Sequence, residues 1–208
     1  MNSLNNWINK KYNNDDEIQK ISKNFNTQKP FKYIRLTDFF ENNKYETMLE
    51  KAKTMPLQNN VNYGVTKRAE VKWGPWNYPE MIRFMLGSEF RNFLGQITQK
   101  KILPKPGFIP QLNVFNEGSA GYQIHNDMGE GKHFVTLFQM SEGYKSGLGG
   151  ELGIFERDEN GVFHTTDMIE PIGNSFVLFE VHKDSFHNVQ DLLPGYKRRV
   201  LCWDWISI

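Results

Sequence analysis

Three groups of residues in this chain could do chemistry together. His125-Asn126-Asp127 sets an imidazole and a carboxylate two positions apart, which on an extended strand puts both on one face. His187, within Asp184-Ser185-Phe186-His187-Asn188-Val189, follows 62 residues later on a different strand. Two imidazoles and one carboxylate gathered on one face of a metal suit non-haem iron(II), and they leave half of an octahedron open. The open half can take a bidentate co-substrate and dioxygen. Lys197-Arg198-Arg199 opens the last strand, where a guanidinium could hold the far carboxylate of a dicarboxylate co-substrate in a dry interior. Alternation alone does not choose between the arginines. Arg199, Leu201, Trp203 and Trp205 share one strand face, and Arg198, Val200, Cys202, Asp204 and Ile206 share the other. Each part is ordinary alone; the ordered set is not.

The elements that must position these groups are mostly strands. From Phe108 onward, short apolar or alternating runs recur: FIPQLNVF, YQIH, HFVTLFQM, ELGIF, GVFHTT, SFVLFE and RVLCWDWI. Turn clusters such as NEGSAG, SEGYKSGLGG and EPIGN separate them. That rhythm predicts an antiparallel sandwich or barrel of about eight short strands. Upstream, residues 31–36 alternate as a strand. Asp38 to Glu41 has capping-box spacing, and Tyr45, Met48, Leu49, Ala52 and Met55 follow at helical intervals until Pro56. A second helical stretch runs over 79–100, with a break expected at Gly87-Ser88. Residues 60–78 read as a hairpin or long loop that forms the substrate entrance together with the N-terminal arm. Residues 1–30, rich in Asn, Lys and Asp, read as a weakly ordered N-terminal arm with a short helix around Glu17 to Ile21. The expected organisation is an arm (1–30) and a single domain (31–208). In that domain, residues 31–105 supply the strand, the helices and the entrance loop, and 106–208 form the β core.

Composition narrows the function classes. The 208 residues carry 25 Lys+Arg against 24 Asp+Glu, a net charge of +1, so no polyanion-binding surface and no nucleic-acid partner is expected. One cysteine, Cys202, excludes an intramolecular disulfide framework and any multi-cysteine metal cluster, and it suits a reducing, cytoplasmic address. No apolar run reaches the roughly 18–20 residues of a membrane span, and the first residues lack the apolar stretch of a signal peptide. His164 and His182 read as solvated or simply hydrogen-bonded, His133, after Gly129-Glu130-Gly131-Lys132, as off the site, and Cys202 as a small packing residue.

On these residues the chain resembles the iron(II)- and 2-oxoglutarate-dependent oxygenases of the prolyl-4-hydroxylase-like group, over about residues 108–206. The segment Phe115-Asn116-Glu117-Gly118-Ser119-Ala120-Gly121-Tyr122-Gln123-Ile124-His125-Asn126-Asp127 is similar to the family's strand and glycine turn leading into His-x-Asp. Gly149-Gly150-Glu151-Leu152-Gly153-Ile154-Phe155 is similar to its Gly-Gly turn and apolar strand. Glu170-Pro171, the strand Ser175 to Phe179, His187 and a basic residue six before Trp205 complete the order. The resemblance implies an α+β, mainly β chain: a double-stranded β-helix (jelly roll, cupin-like) with supporting N-terminal helices. It implies His125, Asp127 and His187 as ligands of Fe(II), and Arg199 rather than Arg198 as the grip on 2-oxoglutarate. Relatives often place tyrosines on that co-substrate. Here Phe115 and Met140 are expected in those places and cannot donate, so Asn113 and Thr136 are the polar candidates for binding it.

The activity so implied is hydroxylation of an unactivated C–H of a free amino acid or a peptidyl side chain, with dioxygen consumed and succinate and CO2 released. Asp127 favours hydroxylation over halogenation, because related halogenases lack that carboxylate. Two alternatives use the same residues: a cupin-like metal-binding module or isomerase working without 2-oxoglutarate, and a catalytically silent interaction protein. Neither the prime substrate nor the oligomeric state is legible in the sequence.

Overall fold

The computed structural model describes residues 6–59 and 71–208. Eleven described strands form two antiparallel sheets. The major sheet contains β1 (Tyr33–Leu36), β2 (Gln58–Asn59), β3 (Val71–Pro75), β4 (Ile102–Pro104), β5 (Gln111–Phe115), β6 (Phe134–Gln139), β9 (Phe176–Glu180) and β11 (Arg198–Ser207). Their order is β1-β9-β6-β11-β5-β3-β2, with β4 beside the far end of β11. The minor sheet contains β7 (Leu152–Arg157), β8 (Phe163–Ile169) and β10 (His187–Val189), in the order β10-β7-β8. The chain passes from the major to the minor sheet after β6, returns at β9, crosses again at β10 and returns at β11, which is the double-stranded β-helix that the resemblance implies.

Both faces of the major sheet are covered, which is why all six residues of β6 are buried. Even-numbered Phe134 and Phe138 of β6, with Leu201, Trp203 and Trp205 of β11, join the core shared with the helices. Odd-numbered Val135 and Leu137, with Val200, join the core between the two sheets. The strand period thus divides the side chains of β6 and β11 into a helix-facing set and an inward-facing set. This division decides which residues reach the site.

The helical layer is α1 (Asp15–Thr27), α2 (Asn42–Thr54), α3 (Pro79–Leu86) and α4 (Ser88–Thr98). Gly87 separates α3 from α4, as the Gly-Ser break predicts, and α2 stops before Pro56. The expected capping box is not used. Glu41 is the N-cap of α2, with no side-chain bond, while Asp38 has a left-handed backbone (φ 49°).

The weakly ordered arm is corrected for its described part. Ile18, Ile21 and Phe25 sit at helical spacing on α1, whose first turn is capped by Asn14 Oδ1 accepting from Asp16 N–H. Trp7, Ile8 and Tyr12 are buried ahead of it, and Trp7 stacks on Phe84 of α3 at 5.0 Å. The segment therefore closes the back of the major sheet rather than trailing from it. Of the expected entrance loop, residues 60–70 lie outside the described residues. The flanking β2 and β3 pair antiparallel, and Trp76 is buried among the helix-side core residues.

Candidate metal and co-substrate site

The space between the sheets holds a cavity of about 200 Å³. Its walls include His125, Asp127 and His187, and Arg198 and Asn113 line it as well.

His125 and His187 are brought together by the backbone. Each N–H donates to the other's carbonyl, at 2.9 and 2.8 Å, in an isolated antiparallel bridge. Directly opposed residues of such a pair present their side chains on the same face, and the two rings stand 4.3 Å apart. Asp127 is not on a regular strand. A left-handed backbone at φ 59°, which Asp tolerates better than most residues, carries its carboxylate back between the rings. Asp127 Oδ1 lies 3.4 Å from His125 Nε2, and Oδ2 lies 3.5 Å from His187 Nε2.

Both imidazoles are oriented by the same device. His125 Nδ1 donates to the Gln123 carbonyl at 2.7 Å, and His187 Nδ1 donates to the Ser185 carbonyl at 2.8 Å. A carbonyl can only accept, so Nδ1 of each ring carries a proton and the ring is fixed with its Nε2 turned inward. One ligand atom from each of the three residues lies within 4.8 Å of the others. Burial opposes charge on His125, but Asp127 overcomes it and holds the imidazole above its ordinary pKa. Burial likewise opposes charge on Asp127. Hydrogen bonds from both histidines and the ammonium of Lys132 outweigh it and hold the carboxyl well below the usual range. The group stays a carboxylate. Two fixed imidazole nitrogens and a carboxylate, gathered on one side and open on the other, fit iron(II).

The arginines resolve against the sequence expectation. Arg198, not Arg199, lines the cavity. β11 pairs Arg198 with Phe115 and presents Arg198, Val200, Cys202 and Asp204 inward, which turns Arg199 to the other face with Leu201, Trp203 and Trp205. The Arg198 guanidinium is 1% exposed and lies over the Phe115 ring at 5.2 Å. Among the described residues no carboxylate pairs with it, and its Nε has no acceptor. Burial pulls its pKa down. A buried guanidinium with no counter-ion is costly unless an anion joins it. The turn beside it is built for close approach. Gly149 and Gly150 have φ of 81° and 80°, and a Cβ on Gly150 would come within 3.2 Å of Arg198 Cδ.

Asn113 lines the cavity, where its Nδ2 donates to Cys202 Sγ at 3.3 Å. Burial pushes the Cys202 thiol up to about 11, so it stays protonated. Thr136 is corrected. It is even-numbered on β6 and faces the tryptophans: its hydroxyl accepts from Trp205 Nε1 at 3.0 Å and donates to the Trp203 carbonyl at 3.3 Å. Phe115 is a cavity residue as expected, but Met140 is buried among the helix-side core residues. His133 also lies away from the cavity, its Nδ1 accepting from Ser207 N–H at 3.0 Å.

Two cavity residues escape a motif search. Tyr122 packs edge-on between Phe115 and His125. Lys132 places its ammonium 3.2 Å from Asp127 Oδ2, 2.9 Å from Glu130 Oε2 and 3.8 Å from Asp204 Oδ1. Burial would lower its pKa, yet these three carboxylates hold it raised. Its position five residues after Asp127, behind Gly129-Glu130-Gly131, was the available signal.

Comparison with known proteins identifies the frame. Residues 110–206 match the model of the 2OG-Fe(II) oxygenase superfamily. The chain is 25% identical over 178 residues to a prolyl 3-hydroxylase, OGFOD1, of Xenopus laevis; the match covers 83% of this chain, which spans about a third (33%) of that relative's length. Among solved structures it is similar to a Trichoplax adhaerens prolyl hydroxylase in complex with a hypoxia-inducible-factor peptide fragment. There the TM-score is 0.71 at 15% identity, over 92% of this chain and 91% of that one. A Pseudomonas putida prolyl-4-hydroxylase gives a TM-score of 0.61 at 14% identity, over 88% and 97% of the two chains. Such structural likeness carries the fold, and the family matched over 110–206 is one whose members are described as 2-oxoglutarate- and Fe(II)-dependent oxygenases. The chain thus has the fold of solved prolyl hydroxylases, and over residues 110–206 its sequence is similar to the 2OG-Fe(II) oxygenase superfamily.

Proposed function

We propose that this chain is a dioxygenase that hydroxylates a peptidyl side chain using iron(II), 2-oxoglutarate and dioxygen. The observation that carries this reading is one cavity holding both a His-Asp-His set and a buried guanidinium that no carboxylate pairs among the described residues. His125 and His187 would donate Nε2 to the metal, and Asp127 one carboxylate oxygen. Arg198 would hold the far carboxylate of 2-oxoglutarate, with Asn113 a polar wall beside it. Bound there, iron(II) and 2-oxoglutarate supply the oxidising chemistry: dioxygen is consumed, succinate and CO2 leave, and one oxygen atom enters the C–H bond.

The residues of the chain orient and shield. The backbone bridge between the two histidines fixes the rings, and the carbonyls of Gln123 and Ser185 hold their protons on Nδ1. Lys132 occupies the Asp127 oxygen nearest to it and leaves the other for the metal. Val135, Leu137, Leu152, Phe179 and Val189 keep water from the cavity wall. No side chain is required as a general base.

A peptidyl rather than a free amino-acid substrate is favoured by two relatives: the Xenopus laevis protein is named a prolyl 3-hydroxylase, and the Trichoplax adhaerens enzyme was solved with a peptide fragment. A cupin-like module working without 2-oxoglutarate has no use for Arg198, whose buried charge, with no carboxylate partner among the described residues, argues for an anionic ligand. Among the described residues no helix is long and apolar enough to cross a membrane. We place the protein in the cytoplasm, where its single thiol stays reduced. The test is succinate release from 2-oxoglutarate by the iron-loaded protein, with prolyl-containing peptides supplied as prime substrate. Release that needs dioxygen, rises with peptide and is lost in His187→Ala supports the reading. Release equal in wild type and His187→Ala refutes it.

A further inference from the structure

Besides Arg198, Gln139 has buried side-chain polar atoms without a partner among the described residues and stands on the inward face of the major sheet. It is 1% exposed, and both Nε2 and Oε1 lack a hydrogen bond. Leaving a buried amide unsatisfied costs on the order of 1–3 kcal/mol for each group, so such a side chain calls for a ligand. Its direction follows from the strand period. Val135 and Leu137 of β6 line the cavity, and Gln139 is the next residue on that face. Its position relative to Arg198 follows from the register. Val200 is paired with Gln139, so Arg198, two residues earlier on β11, is its diagonal neighbour on the same face, within reach of two long side chains.

Two unsatisfied groups on adjacent positions of one buried face define a seat. The guanidinium offers charge and donors but no acceptor, and the amide offers one of each. A carboxylate offers only acceptors. We propose that Gln139 is a binding residue for the co-substrate. In the loaded state its Nε2–H donates to the distal carboxylate of 2-oxoglutarate, and its Oε1 accepts from Arg198 Nε. Both orphaned side chains are then satisfied by one ligand. This inference rests on the 2-oxoglutarate reading above and adds to it a residue that selects the dicarboxylate over 2-oxo acids lacking the distal charge.

The experiment titrates 2-oxoglutarate anaerobically into the iron(II)-loaded full chain, following the metal-to-ligand charge-transfer band. Wild type, Gln139→Met and Gln139→Glu are compared. Each is also titrated with 2-oxopentanoate, which keeps the chain length and replaces the distal carboxylate by a methyl group. Loss of a hydrogen bond to a charged group predicts about a tenfold or greater rise in Kd for 2-oxoglutarate in Gln139→Met. Gln139→Glu, which sets an anion against an anion, predicts a larger rise. Affinity for 2-oxopentanoate and for Mn(II), read by electron paramagnetic resonance, stays within about twofold of wild type in both variants. The proposal is overturned if the variants bind 2-oxoglutarate as wild type does, or if both co-substrates weaken together. A wild type that develops no band sinks the 2-oxoglutarate reading itself, which is a separate outcome.

Discussion

Replacing Arg198 by methionine should make the empty protein more stable and the loaded protein worse. The guanidinium is 1% exposed, has an unpartnered Nε, and has no carboxylate in ion-pair range among the described residues. Exchanging buried ions for apolar side chains of similar volume gains on the order of 1–4 kcal/mol in known cases. At roughly 2–4 °C per kcal/mol for a chain of this size, Arg198→Met raises the Tm of the metal-free protein by several degrees. With Mn(II) and 2-oxoglutarate the order inverts. At about one hundred times its Kd, a ligand stabilises wild type by about 2.7 kcal/mol. Truncating one partner of a buried, hydrogen-bonded charge pair costs about 2–5 kcal/mol of binding, or at least about 30-fold in Kd, so the variant gains little from the same ligand. Arg199→Met serves as the comparison, because Arg199 lies on the opposite strand face, outside the cavity, and should change neither quantity much. Thermal unfolding of the three proteins, with and without both ligands, reads out all of this. If Arg199→Met abolishes the shift with ligand while Arg198→Met keeps it, the inward face of β11 has been assigned wrongly.

Other consequences can be measured on the same protein. Burial pushes the Asp204 carboxyl up to about 6, against the opposing pull of Lys132 and Lys105. A carboxyl with a raised folded pKa binds more protons folded than unfolded, so stability falls as pH rises from about 4 to 6. That contribution is about 3 kcal/mol, and urea titrations across this window should lose it in Asp204→Asn. Lys132→Met leaves Asp127, Glu130 and Asp204 without their shared ammonium and should cost the metal-free protein about 3–5 kcal/mol in denaturant unfolding. A cost under about 1 kcal/mol would show that the cluster is solvated. Phe25→Ala, in the helix behind the major sheet, should cost about 3–5 kcal/mol by the same measurement. A neutral result would restore the loose-arm reading of the N-terminal residues.

Much of the fold was legible because its signals are local. Alternating runs between glycine turns gave the strands, Pro56 gave a helix end, and Gly87 gave a break. The N-terminal helix was expected only as a short stretch around Glu17 to Ile21; its full length and burial were hidden because Ile18, Ile21 and Phe25 are diluted among Asn, Lys and Asp. Its burial depends on what lies across from it, which no local pattern reports. The three candidate metal ligands were legible as residue types in order. Their convergence needed a backbone bridge and a left-handed aspartate that spacing does not encode.

Arg199, Thr136 and Met140 lie off the cavity for one shared reason. Each stands on the other face of β6 or β11 or just past the strand's end, and a slip of one residue reverses a face. A bulk argument was available for β11. Leu201, Trp203 and Trp205 are large enough to fill a core against helices, whereas Val200 and Cys202 leave room for a cavity, and Arg198 stands with the smaller set.

The central claim is tested most directly by a crystal structure of the full chain grown anaerobically with Mn(II) and 2-oxoglutarate. The account predicts one ion bonded to His125 Nε2, an Asp127 oxygen and His187 Nε2, with the co-substrate's far carboxylate on Arg198. An ion bound elsewhere, or held by fewer than these three side chains, would contradict it.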